Sequence, residues 1–214
     1  MDIRLQSDFV DYYDHFFDIS GKVLRRFSYQ GMNRAEMFTF MRSKGLHTPI
    51  FGVTRKILEF AKTTNIEPPS HLVVYTDLNK HCGEGKILVP WDEAISSLPA
   101  SFASEYIPSN SESLRVLQVG NSYFWLRYKS KNDWKSNYGD VDIEVLSMHD
   151  GYFNSDIKEP LYAIDFVGGN EMLAVDFNTA PQIRGTGVEN IVSARDIVRG
   201  IKEAYEMIHE ERTG

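Results

Sequence analysis

The chain has little cysteine, no long apolar run and no excess of basic charge. Its 214 residues include one cysteine, Cys82, which excludes an intramolecular disulfide and is too few for a thiolate metal site. No stretch approaches the roughly 18 consecutive apolar residues of a membrane span. The start MDIRLQSDFVDYYDHF carries acids where a secretion signal has basic residues. We therefore expect a cytoplasmic protein without membrane association.

Acidic residues outnumber basic ones, 30 against 23, and the formal net charge is -7. Binding to a nucleic-acid backbone depends on clustered Lys and Arg, so the composition argues against a general nucleic-acid binder. A local basic pocket for a small anion remains compatible with it. Hydrophobic residues make up 42% of the chain, which is enough for a packed core.

The spacing of apolar residues predicts an α+β fold. Helices are expected within the first thirty residues, over 33–45, 54–64 and 91–98, and from about Val188 to Glu211. Strands are expected at HLVVYTD, ILVP, SFASEYIP, LRVLQVG, SYFWLRY, VDIEVLSM, LYAIDFV and MLAVDFN. The polar stretch SNSES at 109–113 is the best hinge candidate. We therefore divide the chain into a short aromatic and acidic segment (1–32), a first lobe with a glycine loop (33–108) and a second lobe (109–214).

LYAIDFV and MLAVDFN are joined by the turn-rich link GGNE and should form an antiparallel hairpin. A two-residue loop at Gly169 and Asn170 would place residue 165 opposite 174, and 163 opposite 176. The acids of the two strands would then share one face of the sheet. A link of odd length would separate them, unless one strand contains a bulge.

Asp165, Asp176 and Asn178 are the polar residues of this hairpin face. Oxygen ligands without nearby His or Cys favour a hard ion such as Mg²⁺ or Mn²⁺, which in turn suits a nucleotide phosphate. Taken alone, the pattern is better explained by Asp176 capping the turn at TAP and Asp165 being solvated.

The run AIDFV…LAVDFNTAPQIRGTG resembles the C-terminal signature of ATP-grasp enzymes, in which an acid on one strand precedes an acid and an asparagine on the next. Further resemblances follow in family order, from about Asn33 to the end of the chain, at RSKGLHTP, HLVVYTDLNKHCGEGKILV, ASEYIP and LRVLQVGNSYFWLRYKSKNDWKSNYGD. The last of these is similar to glutathione synthetase and ribosomal-protein glutamate ligase relatives. The resemblance implies two α+β lobes that hold Mg-ATP between them. It also implies ligation of a carboxylic acid to an amine or thiol through an acyl-phosphate.

The resemblance also implies roles for individual residues. The implied metal ligands are Asp165, Asp176 and Asn178. The implied catalytic residues are Arg127 and Asn137, which match residues that meet phosphate and acyl-phosphate in the relatives, and Arg115, which matches an arginine of the same stretch. The implied nucleotide-binding residues are Lys80, Gly83, Gly85 and Lys86 in and beside the glycine loop, Glu105, Tyr106 and Ile107 along the adenine, and Glu112 at the ribose. Plain alternatives stay open, because the arginines could be surface strand residues, Asn137 could hold a turn, and both lysines could be solvated.

The chain departs from the family pattern at several positions. Tyr75 and Thr76 stand where a lysine normally contacts ATP phosphates, and Ser113 stands where an acid usually binds the ribose. Arg34 lies near the expected site of another nucleotide-contacting lysine. From the resemblance we expect the domain that usually precedes these lobes to be reduced to about the first thirty residues.

Three functions therefore compete at this point. The first is a compact Mg-ATP-dependent ligase whose carboxylic-acid substrate is unidentified. The second is a nucleotide-binding pseudoenzyme, and the third is a regulatory protein that docks a partner, or a second copy of itself, through SDFVDYYDHFF.

Overall fold

The structure of the protein is a computed structural model that describes residues 32–80, 84–136, 138–157, 159–168, 171–178 and 181–210. The N-terminal helix and docking segment expected from the sequence lie outside the described residues. So do Cys82, Gly83 and Asn137.

The first lobe is a four-stranded antiparallel sheet with three helices. In chain order its elements are α1 (Arg34–Ser43), β1 (Phe51–Val53), α2 (Thr54–Thr64), β2 (His71–Tyr75), β3 (Lys86–Pro90), α3 (Trp91–Ser97) and β4 (Phe102–Glu105). The strand order is β1-β4-β2-β3. The predicted start of α1 is confirmed, because the Asn33 side chain accepts the backbone N–H of Glu36 while the Glu36 side chain accepts that of Asn33.

The second lobe is a five-stranded antiparallel sheet with one long helix. Its elements are β5 (Glu112–Val119), β6 (Ser122–Ser130), β7 (Val141–Asp150), β8 (Leu161–Val167), β9 (Leu173–Asn178) and α4 (Ala194–Glu210). The strand order is β7-β6-β5-β8-β9. The sequence thus predicted the α+β class and the order of these elements correctly. No helix among the described residues is long and apolar enough to cross a bilayer.

The predicted start of the last helix at Val188 is wrong. Val188–Asn190 forms a single 3₁₀ turn, and the α-helix begins only at Ala194. Ser193 explains the new start, since its Oγ accepts the backbone N–H of Asp196 at 3.2 Å and so caps the helix. Ile191, which precedes the helix, is 54% exposed.

Helix α1 lies between the two sheets and packs against both. Phe38 is fully buried and its ring stacks on Phe51 of the first sheet, with 4.9 Å between centroids. On the other side, the ring of Phe40 lies 4.8 Å from that of Phe177 in β9. The backbone N–H of Phe177 also donates to the Met37 sulfur at 3.3 Å. The N-terminal end of α1 is therefore held close to the hairpin that carries the predicted metal ligands.

Candidate functional site: the hairpin acids and the cleft between the sheets

The β8–β9 hairpin brings the two acids together, but in a register different from the one expected. Asp165 faces Asp176 directly, and Ala163 faces Asn178. The link spans residues 168–172, which is odd in length, and Val175 forms a bulge between the pairs Phe166–Ala174 and Asp165–Asp176. The predicted pairing of 165 with 174 through a two-residue loop is therefore wrong. Because of the bulge, the acids of the two strands still lie on one face of the sheet despite the odd length of the link, as the sequence analysis allowed.

Asp165 is held by an arginine on the neighbouring strand. Arg115 of β5 faces it and donates from Nε to Oδ1 at 2.5 Å and from Nη2 to Oδ2 at 2.8 Å. The third guanidinium nitrogen donates to the Tyr128 hydroxyl at 3.2 Å. Asp165 is only 5% exposed, so this is a buried, two-point ion pair of the kind in which each charge depends on the other.

Asp176 is held by an arginine from the first lobe. Arg34, the first residue of α1, donates from Nη1 to Oδ1 of Asp176 at 2.6 Å and is 4% exposed. Burial alone would raise the pKa of Asp176, but attraction by Arg34 and then by Lys86 outweighs burial and holds the pKa below its ordinary value. Asp176 is therefore ionised at neutral pH. The Arg34 Nε is buried and has no hydrogen-bond acceptor among the described residues.

Lys86 completes the charged group at this end of the cleft. It is the first residue of β3 and faces Tyr75 of β2. Burial lowers its pKa, and attraction by Asp176 opposes the shift without cancelling it. We call Arg34, Lys86, Arg115, Asp165 and Asp176 the cleft cluster; with three cations and two carboxylates it has a net charge of +1.

Aromatic residues border the cleft cluster on the side of the second lobe. The Lys86 Nζ lies 5.6 Å from the ring centroid of Trp134, in the link between β6 and β7. The Lys135 Nζ lies 5.8 Å from the same centroid and 3.8 Å from that of Tyr138. Tyr106, expected along the adenine, meets Trp134 edge to face at 5.8 Å. Sequence reasoning missed Trp134 and Lys135, although the run DWKSN combines an aromatic ring with a cation beside the predicted Asn137.

Arg127 is not brought to the acids. It faces Leu114, whereas Leu126 faces Arg115, so alternation along β6 places Arg127 on the opposite side of the sheet from the Arg115–Asp165 pair. It is half-exposed and forms an ion pair with Glu144 of β7. This position matches the plain alternative of a surface strand residue.

The other predicted nucleotide-binding residues that the structure describes lie at the end of β4, at the start of β5 and in the links beside these strands. The Glu105 side chain accepts the Ile50 backbone N–H at 3.4 Å, and Ile107 follows in the connection to the second lobe. Glu112 opens β5 beside the buried Ser113. Lys80 is exposed and lies 3.9 Å from Glu84.

The backbone conformation at position 85 requires glycine. Its φ is +66°, and a Cβ there would lie 2.7 Å from the Lys80 Cβ and 2.9 Å from the Asp77 carbonyl oxygen. Its own carbonyl accepts the Thr76 N–H at 2.8 Å, which closes the loop between β2 and β3.

The oxygen ligands of the hairpin are only partly suited to a divalent cation. Both oxygens of Asp165 already accept from Arg115, so Asp165 is committed to that pair in this arrangement. Asp176 and the exposed Asn178, two residues apart on one strand face, offer an oxygen pair that phosphate oxygens could complete. No group of three or more His, Cys, Asp or Glu residues among the described residues could hold a metal alone.

Comparison with known proteins finds likeness in structure only. No protein-family model and no curated protein matches the chain. The ATP-grasp ligase PsnB, solved with a minimal precursor, Mg and ADP, is similar with a TM-score of 0.55 at 12% identity, over 84% of this chain and 60% of its own. The D-alanine–D-alanine ligase of Bacillus anthracis gives 0.54 at 15% identity, over 84% and 69%. The complex of that ligase with ATP gives 0.50 at 16% identity, over 84% and 68%.

The chain therefore has the ATP-grasp fold, and the resemblance seen in the sequence is confirmed at the level of the fold. The chain spans 60% of the length of PsnB.

Proposed function

We propose that this protein is a Mg-ATP-dependent ligase that joins a carboxylic acid to an amine or thiol. The observation that carries the proposal is the cleft cluster, in which two acids on one sheet face meet cations from both lobes. Support also comes from the fold, because PsnB is solved with Mg and ADP and the B. anthracis ligase with ATP.

In this proposal Asp176 and Asn178 would hold the magnesium ion. When bound, it would supply positive charge against that of the transferred phosphoryl group. Arg115, fixed by Asp165 at two points, supplies a rigid cation at the same sheet face. Arg34 and Lys86 add positive charge from the first lobe.

The reaction has two balanced steps. A carboxylate oxygen of the substrate attacks the γ-phosphorus, an O–P bond forms, and the bond to the bridging oxygen breaks to release ADP. The amine nitrogen then attacks the acyl carbon, a C–N bond forms, the C–O bond to phosphate breaks, and the proton lost by the nitrogen goes to the released phosphate. The cations of the cleft cluster would stabilise the negative charge present in both steps.

A nucleotide-binding pseudoenzyme remains the second candidate, because of two specific observations. Tyr75, at the position of the family's phosphate-contacting lysine, is buried in the core between the sheets. Asp165, an implied metal ligand, is occupied by Arg115. Both features would weaken catalysis more than binding.

Calorimetric titration with a nonhydrolysable ATP analogue, with and without Mg²⁺, tests the proposal. We expect Mg-dependent binding that Asp176→Ala with Asn178→Ala abolishes. Glu144→Ala, which removes an exposed carboxylate from the same sheet, should leave it intact. Absence of Mg-dependent binding in the wild type would exclude both nucleotide functions. Binding without ADP release across pools of carboxylates and amines would instead favour the pseudoenzyme.

A further inference from the structure

The two acids of the hairpin differ in their exposure and in their hydrogen bonds. The side chain of Asp165 is 7% exposed, whereas that of Asp176 is 26% exposed. Arg34 donates to Oδ1 of Asp176 only, and no described residue donates a hydrogen bond to its Oδ2. Both oxygens of Asp165 accept from Arg115. Asp176 can therefore offer an oxygen to a ligand in the cleft, and Asp165 cannot do so while Arg115 stays in place.

Arg115 is held on a second side by Tyr128. Its Nη1 donates to the Tyr128 hydroxyl at 3.2 Å, and its guanidinium carbon lies 4.4 Å from the centroid of the tyrosine ring. Tyr128 is 6% exposed and belongs to the apolar core between the second sheet and α4. Movement of the guanidinium away from Asp165 would therefore also break its contacts with a fixed core residue.

A divalent cation on Asp165 would have to displace this guanidinium or lie beside it. Burial alone would lower the pKa of Arg115, but attraction and hydrogen bonding by Asp165 outweigh burial and raise the pKa, so the arginine is charged. Displacement would leave a buried cation without its partner, which is strongly unfavourable. A metal ion beside the guanidinium would be repelled by it, with little screening by solvent. Both arrangements are costly, so Asp165 is poorly suited to metal binding.

We propose that the hairpin takes one divalent cation per nucleotide, on Asp176 and Asn178, and that the guanidinium of Arg115 is the permanent cation of Asp165. Asp165 is then a positioning residue for Arg115 and not a metal ligand, in contrast to the ligand set that the resemblance implies. This inference rests on the proposed function, since it concerns the cation that would accompany ATP.

Counting bound Mn²⁺ tests the stoichiometry without any turnover. The wild type is mixed with an amount of a nonhydrolysable ATP analogue that is fully bound, and free Mn²⁺ is measured by electron paramagnetic resonance. A nucleotide carries one divalent cation on its own phosphates, so the count shows whether the protein adds another. We expect one tightly bound Mn²⁺ per bound analogue, and two would overturn the inference.

The double variant Arg115→Met with Asp165→Leu tests whether Asp165 is a metal ligand. It removes one charge of each sign, so the net charge of the cleft cluster does not change and no buried charge is left behind. We expect the count to stay at one and the Mn²⁺ concentration at half-saturation to change less than about threefold. Loss of a metal ligand would raise that concentration about tenfold or more, as Asp176→Ala with Asn178→Ala should do in parallel.

Arg115→Met alone tests whether the arginine excludes a second ion. This variant leaves a buried carboxylate without its cation, and we expect Mn²⁺ to replace the guanidinium, which gives two Mn²⁺ per bound analogue. Added Mn²⁺ should then raise the melting temperature of Arg115→Met more than that of the wild type. A single Mn²⁺ with equal temperature shifts would overturn the inference. If this variant does not fold, the wild-type count and the double variant decide.

The outcomes also distinguish the inference from the proposed function. Two Mn²⁺ in the wild type, or a tenfold loss of Mn²⁺ affinity in the double variant, would overturn the inference and leave the proposed function standing. If the wild type binds the analogue no better with Mn²⁺ than without it, the proposed function fails and the inference fails with it.

Discussion

Removing the acid of the Arg115–Asp165 pair should destabilise the protein strongly even without ligand. Asp165→Asn leaves a guanidinium whose side chain is 11% exposed opposite a neutral amide, in place of two charge-assisted hydrogen bonds at 2.5 and 2.8 Å. Breaking one partner of a buried ion pair costs about 3–5 kcal/mol. At this chain length each kcal/mol lowers the melting temperature by about 2–4 °C, so a fall of about 6–20 °C is expected.

Denaturant unfolding in the absence of Mg²⁺ and nucleotide measures the effect. The double variant Arg115→Met with Asp165→Leu should lose less free energy of unfolding than the two single changes combined, because it leaves no buried charge behind. Glu144→Gln breaks the exposed Arg127–Glu144 pair on the same sheet and should cost about 0–1 kcal/mol.

The comparison decides what Asp165 does. A cost for Asp165→Asn no larger than that for Glu144→Gln would refute a structural ion pair. In that case the aspartate would be available to a cation, as the resemblance implied. If Asp165→Asn changed the Mg²⁺ affinity but not the free energy of unfolding, that result would also indicate that Asp165 binds a cation.

Two further predictions concern stability. Burial would raise the pKa of Asp176, but attraction by Arg34 holds it below its unfolded value. Ionised Asp176 therefore stabilises the fold fully above about pH 4, and this stabilisation is lost as the pH falls through the folded pKa. Asp176→Asn should flatten this part of a pH series of unfolding curves. Gly120→Ala should destabilise by about 1–3 kcal/mol, because φ is +61° and the new Cβ would lie 2.3 Å from the backbone carbon of Gly200. Gly200→Ala, whose Cβ would meet nothing closer than 3.9 Å, should be neutral or stabilising in the same thermal melts.

Local signals predicted the elements of the first lobe well. Asn33 caps α1 at the expected start of this helix, and α2 spans 54–64 as expected. The last helix was misplaced because apolar spacing alone cannot show where a chain turns. Ser193 caps the helix proper, and the preceding residues form a separate 3₁₀ turn.

The site could be predicted only up to the faces of its strands. Alternation identified Asp165 and Asp176, but their pairing depended on a bulge at Val175 that has no signature in the sequence. The arginine that neutralises Asp176 is 142 positions away and comes from another lobe, so only tertiary packing could reveal the contact.

The face of the sheet on which Arg127 lies could have been predicted from the sequence. Gly120 and Asn121 form a two-residue connection, with Val119 facing Ser122, and counting back along this hairpin places Leu126 opposite Arg115. Alternation then puts Arg127 on the far side of the sheet. The resemblance implied a role for Arg127 by alignment, whereas strand parity places it on the face of the sheet away from the two acids.

The charge of the cleft cluster bears on the order of binding in the proposed function. Asp176 is already matched by Arg34, and Asp165 by Arg115, so a free divalent cation would approach a group whose net charge is +1. The polyphosphate of a nucleotide would make the net charge of the group negative, because it brings negative charge to Lys86. It would also supply oxygen ligands to the cation beyond those of Asp176 and Asn178. The cation would therefore enter with the nucleotide rather than before it, and the arginines would hold the acids in place until it arrives.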